Sequence, residues 1–399
     1  MKQGELTFRL PWGMISLCAG LGLLGGAALA AGLSQAPERA WFDLLLVSYY
    51  LLSLGLGALV FVALQYVTRA GWSVGLRRVP EAMAAILPVA AMGLAVVFLA
   101  RPSLYPWTGA SGAEGTAATP LREAWLTWPF FLARAAVCLA AWLILGFALV
   151  RTSRRQDRDG DLAYTRRNVR LSAAFLVVFG VTFWLASSDW LMSLEPDWAS
   201  TIFAVYQFAG VFLSGLAGII LLAACLRWLG PFRQVFRGDH VHDLGKLLFG
   251  FSTFWAYLWF CQVLLIWYVN NPEEVTYFTR RLDGAWRPLF FLTLVLNWGV
   301  PFLVLLPRWT KRRAGVLAAV CLLVLAGRWL DLYLAILPSA GEPTPAGVLW
   351  EVGLAVGAMG LFGLVYLAAL RTAPLVPMKD PYLVESVPAL CDRAEPVAG

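Results

Sequence analysis

Ten long apolar segments constrain the fold of this chain more than any other feature of its sequence. Each is close to or above the roughly 20 residues that an α-helix needs to cross a bilayer core of about 30 Å. A backbone in hydrocarbon must form its hydrogen bonds within the segment, so each run is predicted to be a transmembrane helix. The predicted spans are Leu10–Leu33, Phe42–Val67, Ala82–Ala100, Leu126–Val150, Val169–Ser187, Ser200–Leu226, Leu247–Asn270, Pro288–Leu306, Ala314–Leu337 and Ala346–Leu370.

The composition agrees with a membrane location. Of the 399 residues, 60% are apolar and only 14% are charged. Soluble domains carry about 25% charged residues, so a soluble globular enzyme is excluded, and the predicted fold class is an all-α polytopic membrane protein. The first run follows Lys2 and Arg9 in the manner of a secretory signal. At about 24 residues it is longer than a signal core, and it is therefore counted as a span.

A short internal sequence repeat, which we call the echo, bears on the domain organisation. SLGLG at Ser53–Gly57 recurs as SGLAG at Ser214–Gly218, on spans 2 and 6, which cross in the same direction. The echo favours two parallel four-helix bundles, spans 2–5 and 6–9, flanked by helices 1 and 10. The predicted units are an N-terminal span with its outer loop (1–41), the two bundles (42–187 and 188–337), the last span (338–370) and a tail extended along the surface (371–399).

The distribution of positive charge predicts the orientation. Most of the 31 Lys and Arg residues fall at the chain termini and in the loops that follow spans 2, 4, 6 and 8. The positive-inside rule therefore predicts that both termini are cytoplasmic. The net charge of +7 is then a topology signal and not the signature of a nucleic-acid partner. The outer loop Arg101–Ala124 is rich in Gly, Ala and Thr and is predicted to be flexible or ordered by a partner.

Ionisable residues at membrane depth are candidate functional groups. Counting from Arg313 at 1.5 Å per residue, Arg328 and Asp331 of span 9 lie about 22 and 27 Å from the cytoplasmic edge. Arg134 in span 4 and Asp43 at the start of span 2 are also on the outer side. On the inner side, Asp243, Lys246 and Glu81 flank the starts of spans. The midplane instead carries neutral polar residues, namely Asn297, Gln207, Gln262, Thr182 and Ser214. This gradient, from titratable groups near one face to amides and hydroxyls further in, predicts a proton half-channel that opens outward. Its candidate residues are Arg134, Arg328, Asp331, Asp43, Asp243 and Lys246.

Two structural alternatives stay open for these charges. Residues three apart share a helix face, so Arg328 and Asp331 are expected to pair and could simply lock helices together. Acidic residues favour helix N-termini, so Asp43, Glu81 and Asp243 could be N-caps.

The few potential metal ligands limit the redox chemistry of the chain. Its two histidines, His240 and His242, share one polar segment, where they are expected to lie at the surface or to pack a loop, with proton relay as the alternative. A transmembrane haem needs axial imidazoles on facing helices, and none is available. The six cysteines are dispersed without a CxxC pair. No catalytic residue, no metal site and no covalently bound cofactor are therefore expected in this chain.

Three segments carry a family resemblance. They are DWLMSLEPDWASTIFAVYQFAG (Asp189–Gly210), DLGKLLFGFSTFWAYLWFCQVLLIWYVNNPEE (Asp243–Glu274) and GRWLDLYLAILP (Gly327–Pro338). The chain resembles the F subunit of alternative complex III, the smaller of two homologous ten-helix subunits in the NrfD/polysulfide-reductase membrane-anchor superfamily. The likeness covers spans 2 to 10.

The resemblance implies a bacterial quinol:electron acceptor oxidoreductase in the cytoplasmic membrane, which oxidises menaquinol or ubiquinol and reduces a cytochrome c or a similar carrier. It implies as partners a larger NrfD-like membrane subunit, a multihaem cytochrome c, an iron–sulfur subunit, a small membrane anchor, a monohaem cytochrome c and lipid. Haem and iron–sulfur clusters then belong to the partner subunits. No histidine lies in a predicted span, so the His–Asp arrangement that takes a quinol proton is missing, although quinone remains a possible ligand in the complex.

Three functional interpretations follow. The first is a membrane subunit that scaffolds the oxidoreductase and either conducts protons or contacts quinone. The second is a scaffold without a ligand. The third is a stand-alone secondary transporter, for which Arg328 would bind an anionic substrate.

Overall fold

The computed structural model describes residues 12–109, 124–230, 232–341 and 349–387. As predicted, the chain is an all-α polytopic membrane protein, and ten helices in these ranges are long and apolar enough to cross a membrane. In chain order they are α1 Trp12–Gln35, α2 Pro37–Val67, α3 Arg78–Ala100, α4 Trp128–Asp159, α5 Leu162–Leu194, α6 Phe203–Trp228, α7 Gly238–Val269, α8 Trp286–Leu305, α9 Ala314–Ala340 and α10 Trp350–Leu370.

Several predictions fall outside the described residues. They concern Lys2 and Arg9 before the first span, most of the outer loop 101–124, and the end of the tail beyond residue 387, including Cys391.

Several helices extend past the apolar runs that identified them. Helix α4 continues nine residues beyond the predicted end and stops at Gly160, whose φ of +72° suits glycine. Helix α5 begins at Leu162, where the Asp161 side chain caps it by accepting from the Ala163 N–H at 2.8 Å. Hydropathy marks only the part of a helix that lies in hydrocarbon, whereas these polar turns continue the helix into water.

Helices α2 and α6 form the centre of the molecule. Most of their residues are buried, and the two helices approach closely because Gly57 and Gly215 lack side chains: a Cβ on either would overlap the backbone of the other. Close approach at small residues is typical of membrane helices. These two glycines belong to the two echo segments.

The remaining helices surround this pair. Helix α2 packs on α3 and α5, and α4 packs on α5; α6 packs on α7 and α9, and α8 packs on α9. Helix α1 packs mainly against α10. The proposed division into two bundles stays a prediction, because α2 of the first group also packs extensively on α6 of the second.

The connections define two faces of the molecule. The arginine-rich face consists of the described connections 68–77, 160–161, 229–230, 232–237 and 306–313 together with the adjoining helix ends. The opposite face consists of 101–109, 124–127, 195–202, 270–285 and residue 341, and it includes a short helix, Pro272–Leu282, which we call the cap helix.

The described part of the tail folds back onto the arginine-rich face. Ser386 accepts from the Gly75 N–H at 3.0 Å and donates to the Trp72 carbonyl at 2.8 Å. Asp380 forms a buried ion pair with Arg77. The tail thereby fastens the connection between α2 and α3.

Candidate functional site

A buried ion pair lies within α9, one of the helices long and apolar enough to cross a membrane. Arg328 and Asp331 are one turn apart and form an ion pair, with Arg328 fully buried and Asp331 7% exposed. Tyr206 of α6 donates a hydrogen bond to the other carboxylate oxygen of Asp331. The guanidinium group fits between the helices because α6 has glycine at position 210, where a Cβ would overlap it. The site is therefore built jointly by α6 and α9.

Buried polar atoms without a protein partner surround this pair. In the described part of the chain, Nε and Nη2 of Arg328 make no hydrogen bond, and neither does the side-chain amide of Gln207, which is one helical turn from Gly210. Asn297 of α8 abuts α9 beside Gly327, and its Oδ1 atom is likewise unpartnered. Buried polar groups seldom lack a partner, and ordered water is the usual one. The surroundings of Arg328 are thus suited to hold water.

A small polar cavity adjoins Asp331 on the side of the opposite face. Its volume is about 30 Å³, and a cavity of about 10–15 Å³ suffices for one water molecule. It is lined by Tyr206, Trp259, Gln262, Tyr277, Phe278, Arg281, Phe290, Thr293, Asp331, Leu334 and Ala335. Phenol, amide, hydroxyl and guanidinium groups thus line the space between Asp331 and the cap helix.

The cap helix closes this cavity through Arg281, which is 2% exposed. Its guanidinium donates to the Leu334 carbonyl at 2.7 Å and to the Tyr277 carbonyl at 2.8 Å, and it pairs with Glu195 at 2.7 Å. Trp198 stacks on the Tyr277 ring with centroids 3.8 Å apart. Burial raises the pKa of the Tyr277 phenol to about 12, so this group stays protonated at neutral pH.

Asp43 belongs to a separate network between α2, α9 and α10. It is 2% exposed and accepts from the Trp350 indole N–H at 3.4 Å. Arg39 pairs with Glu351 at 2.6 Å and donates to the Tyr333 hydroxyl at 3.0 Å. These contacts attach α10 to the rest of the molecule.

Arg134 belongs to a third network, between α4 and α5. It pairs with Asp189 at 2.6 Å and donates to the Trp125 carbonyl at 3.0 Å. The Trp125 indole donates to the other oxygen of Asp189 at 3.1 Å. The guanidinium also lies over the rings of Trp125 and Phe130, 4.2 and 4.3 Å from their centroids.

The six candidate residues therefore do not form one group. The structure brings Arg328 and Asp331 together. Asp43 instead accepts a hydrogen bond from Trp350, and Arg134 forms an ion pair with Asp189, both on the same side of the molecule. Asp243 and Lys246 form an exposed pair at 2.7 Å near the arginine-rich face.

The N-cap alternative is wrong. The helices begin at Pro37, Arg78 and Gly238, so Asp43, Glu81 and Asp243 lie inside them.

The sequence prediction missed most of the partners of these charges. Tyr206 lies inside an apolar run, and Asp189 and Glu195 fall between the predicted spans 5 and 6. The segment SDWLMSLEPDWA offered a signal, because acids beside tryptophans at the end of a span are well placed to meet arginines on neighbouring helices.

The two histidines lie in the first turns of α7, which begins nine residues before the predicted span. His240 is buried, and its Nε2 atom is 3.0 Å from Ser386 of the tail, in agreement with loop packing. Within the described ranges no three His, Cys, Asp or Glu side chains are grouped so that they could hold a metal ion.

A larger apolar cavity of about 480 Å³ lies between α2, α6, α9 and α10. Its lining is almost entirely hydrocarbon, and the hydroxyl of Tyr50 in its wall already donates to the Leu325 carbonyl at 3.0 Å. This lining fits a hydrocarbon chain.

Neither a scan of protein-family models nor a search of curated proteins finds a match to this chain.

Proposed function

We propose that the chain is an integral membrane subunit of a bacterial quinol oxidoreductase of the alternative complex III type, and that it conducts protons between Asp331 and the opposite face. The observation that carries the proton-conducting role is the buried Arg328–Asp331 pair next to a water-sized polar cavity. Ionisable groups at membrane depth are costly and commonly mark ion or proton pathways.

The three segments that resemble the family converge on this site. The first contributes Tyr206, Gln207 and Gly210, the second contributes Trp259 and Gln262, and the third contributes Arg328 and Asp331. Segments far apart in sequence therefore line one cavity. This convergence supports the assignment to that class of complex.

The orientation follows from the arginines. The positive-inside rule assigns the arginine-rich face, with both termini, to the cytoplasm and the opposite face to the periplasm. The cavity beside Asp331 then lies on the periplasmic side, where a quinol oxidoreductase of this class is expected to release protons.

The chemistry of the site suits proton transfer. A carboxyl group can hold or release a proton, whereas the Arg328 guanidinium stays charged and stabilises the carboxylate form. Tyr206 fixes the orientation of the Asp331 carboxyl, and water in the cavity would carry the proton on toward the cap helix. By resemblance, quinol oxidation takes place on the larger homologous subunit, and the electrons pass to haem and iron–sulfur centres of the partners.

A scaffold without a proton path is the second candidate, and two observations favour it. The pairs Arg39–Glu351 and Arg134–Asp189 join neighbouring helices and lie away from the cavity. Arg328–Asp331 would then be a third pair of the same kind. Asp331→Asn separates the two functions, because it removes the titratable group and keeps the shape of the side chain.

Purification in a mild detergent tests membership of the complex. A tagged copy extracted from native membranes is expected to co-migrate with covalently bound haem and with iron–sulfur absorbance. Purification as a lone chain would overturn the assignment, and counterflow of an anion in proteoliposomes of that lone chain would indicate a transporter instead.

A further inference from the structure

A second cavity lies between α3 and α4 at the arginine-rich face, on the side of the molecule away from the proton site. Its volume is about 530 Å³. It is lined by Glu81, Ala84, Ala85, Leu87, Pro88, Leu143, Gly146, Phe147, Val150, Arg151, Arg154, Arg155 and Arg158. The apolar residues form the end toward the bilayer core, and the arginines form the end toward the face.

The four arginines form a single cationic wall. Arg151, Arg154, Arg155 and Arg158 follow the spacing that aligns side chains on one face of a helix. No ion pair involves any of them in the part of the chain that the structure describes. The neighbouring carboxylates of Glu81 and Asp157 are both bound to Arg78 instead. The wall therefore keeps its positive charge.

Two buried atoms at this cavity also lack a partner among the described residues. One is Nε of Arg154, a donor, and the other is Oε1 of Glu81, an acceptor on a side chain that is only 2% exposed. A donor and an acceptor beside the arginines match a head group that carries both phosphate oxygens and a hydroxyl or ammonium group. The polar end of the cavity is therefore suited to a phosphate-containing head group.

The apolar end indicates that the ligand is a lipid. Leu143 is two turns below Arg151 on α4, about 12 Å along the helix axis. Leu87 and Pro88 of α3 face it, and Phe147 lies between Leu143 and the arginines. A soluble anion would leave these apolar side chains uncovered, whereas an acyl chain would cover them.

We propose that this cavity binds an anionic phospholipid, with its phosphate on the arginines and one acyl chain along Leu87, Leu143 and Phe147. Guanidinium groups bind phosphate through paired hydrogen bonds, and basic residues at the cytoplasmic surface attract anionic lipids. The site is independent of the proton path, and it assigns a ligand to the basic end of α4 beyond its role in topology.

Native mass spectrometry of the detergent-purified protein, alone or in its complex, tests the proposal. Phosphatidylglycerol is expected to bind at least tenfold more tightly than phosphatidylcholine of the same chain length. Arg154→Gln/Arg158→Gln should weaken phosphatidylglycerol binding about tenfold or more. The control Arg233→Gln/Arg308→Gln removes the same charge from exposed positions on the same face and should leave binding unchanged.

A second variant tests the acyl-chain end. Leu143→Trp fills the apolar part and keeps every arginine, so it should weaken binding of the lipid but not of soluble glycerol phosphate. Equal binding of the two lipids, wild-type affinity in the double arginine variant, or equal loss in its control would overturn the proposal. Competition by glycerol phosphate at the affinity of the lipid would show a soluble-phosphate site instead.

Discussion

Tyr206 on α6 donates its phenolic hydrogen to Asp331 on α9, and the other oxygen of the same carboxylate pairs with Arg328. One buried carboxyl group thus connects two helices and pairs with a guanidinium group that is not exposed to bulk solvent. Its position between a polar cavity and a fully buried arginine is the basis of the proposed proton path.

Removing the arginine from this pair should destabilise the protein. Arg328→Gln leaves Asp331 buried without a cation, and breaking a buried pair in this way costs about 3–5 kcal/mol. Thermal unfolding in detergent, followed by tryptophan fluorescence, should show a lower Tm. Arg328→Gln/Asp331→Asn removes both charges and should recover much of the loss; a double variant less stable than Arg328→Gln would contradict this account of the pair.

A single methyl group added at Gly210 should also lower the stability of the protein. The Cβ of Gly210→Ala overlaps the Arg328 guanidinium, and such overpacking costs about 1–3 kcal/mol. The same substitution at Gly250 on α7 meets no atom within 4 Å and serves as the control. We expect Tm to fall for Gly210→Ala and not for Gly250→Ala, and equal shifts would exclude a tight fit of the guanidinium against α6.

The hydroxyl of Tyr206 should contribute more to the free energy of unfolding than the hydroxyl of an exposed tyrosine. Tyr206→Phe removes a hydrogen bond to a charged group, a loss of about 1.5–3 kcal/mol. Tyr257 is 61% exposed, so Tyr257→Phe should be neutral. Chemical denaturation of both variants measures the difference, and a neutral Tyr206→Phe would mean that the contact contributes nothing to stability.

The cap helix provides a matched pair of neighbouring arginines. Arg281 is 2% exposed and makes contacts to Glu195, Tyr277 and Leu334, whereas Arg280 is half exposed and lies 3.9 Å from Glu195. Arg281→Gln should accelerate amide hydrogen exchange across residues 276–282 at least tenfold, because the helix loses its attachment to α9. Arg280→Gln should leave exchange near the wild-type rate, and equal acceleration in both variants would refute the role given to Arg281.

The fold was largely predictable because hydrocarbon imposes a simple rule on sequence. Each predicted span corresponds to a helix. Helices α4, α5 and α7 extend beyond their predicted spans by polar turns, because hydropathy does not detect the polar part of a helix. The pairing of Arg328 with Asp331 followed from their spacing on one helix.

The partners of the other charges depended on tertiary packing. Helical spacing relates residues on the same helix only, so it could not show that Arg134 meets Asp189 or that Asp43 meets Trp350. Depth counted along each helix placed these charges toward one end of the helices. It could not separate them laterally into three networks.

The number of protons released per electron tests the central claim most directly. The intact complex in proteoliposomes, given quinol and an electron acceptor, should release protons on the periplasmic side, where the cap helix lies. The Asp331→Asn complex, with unchanged haem content, should release fewer protons per electron, while Asp243→Asn, at the exposed pair, should match wild type. Wild-type proton release by an assembled Asp331→Asn complex would contradict the account.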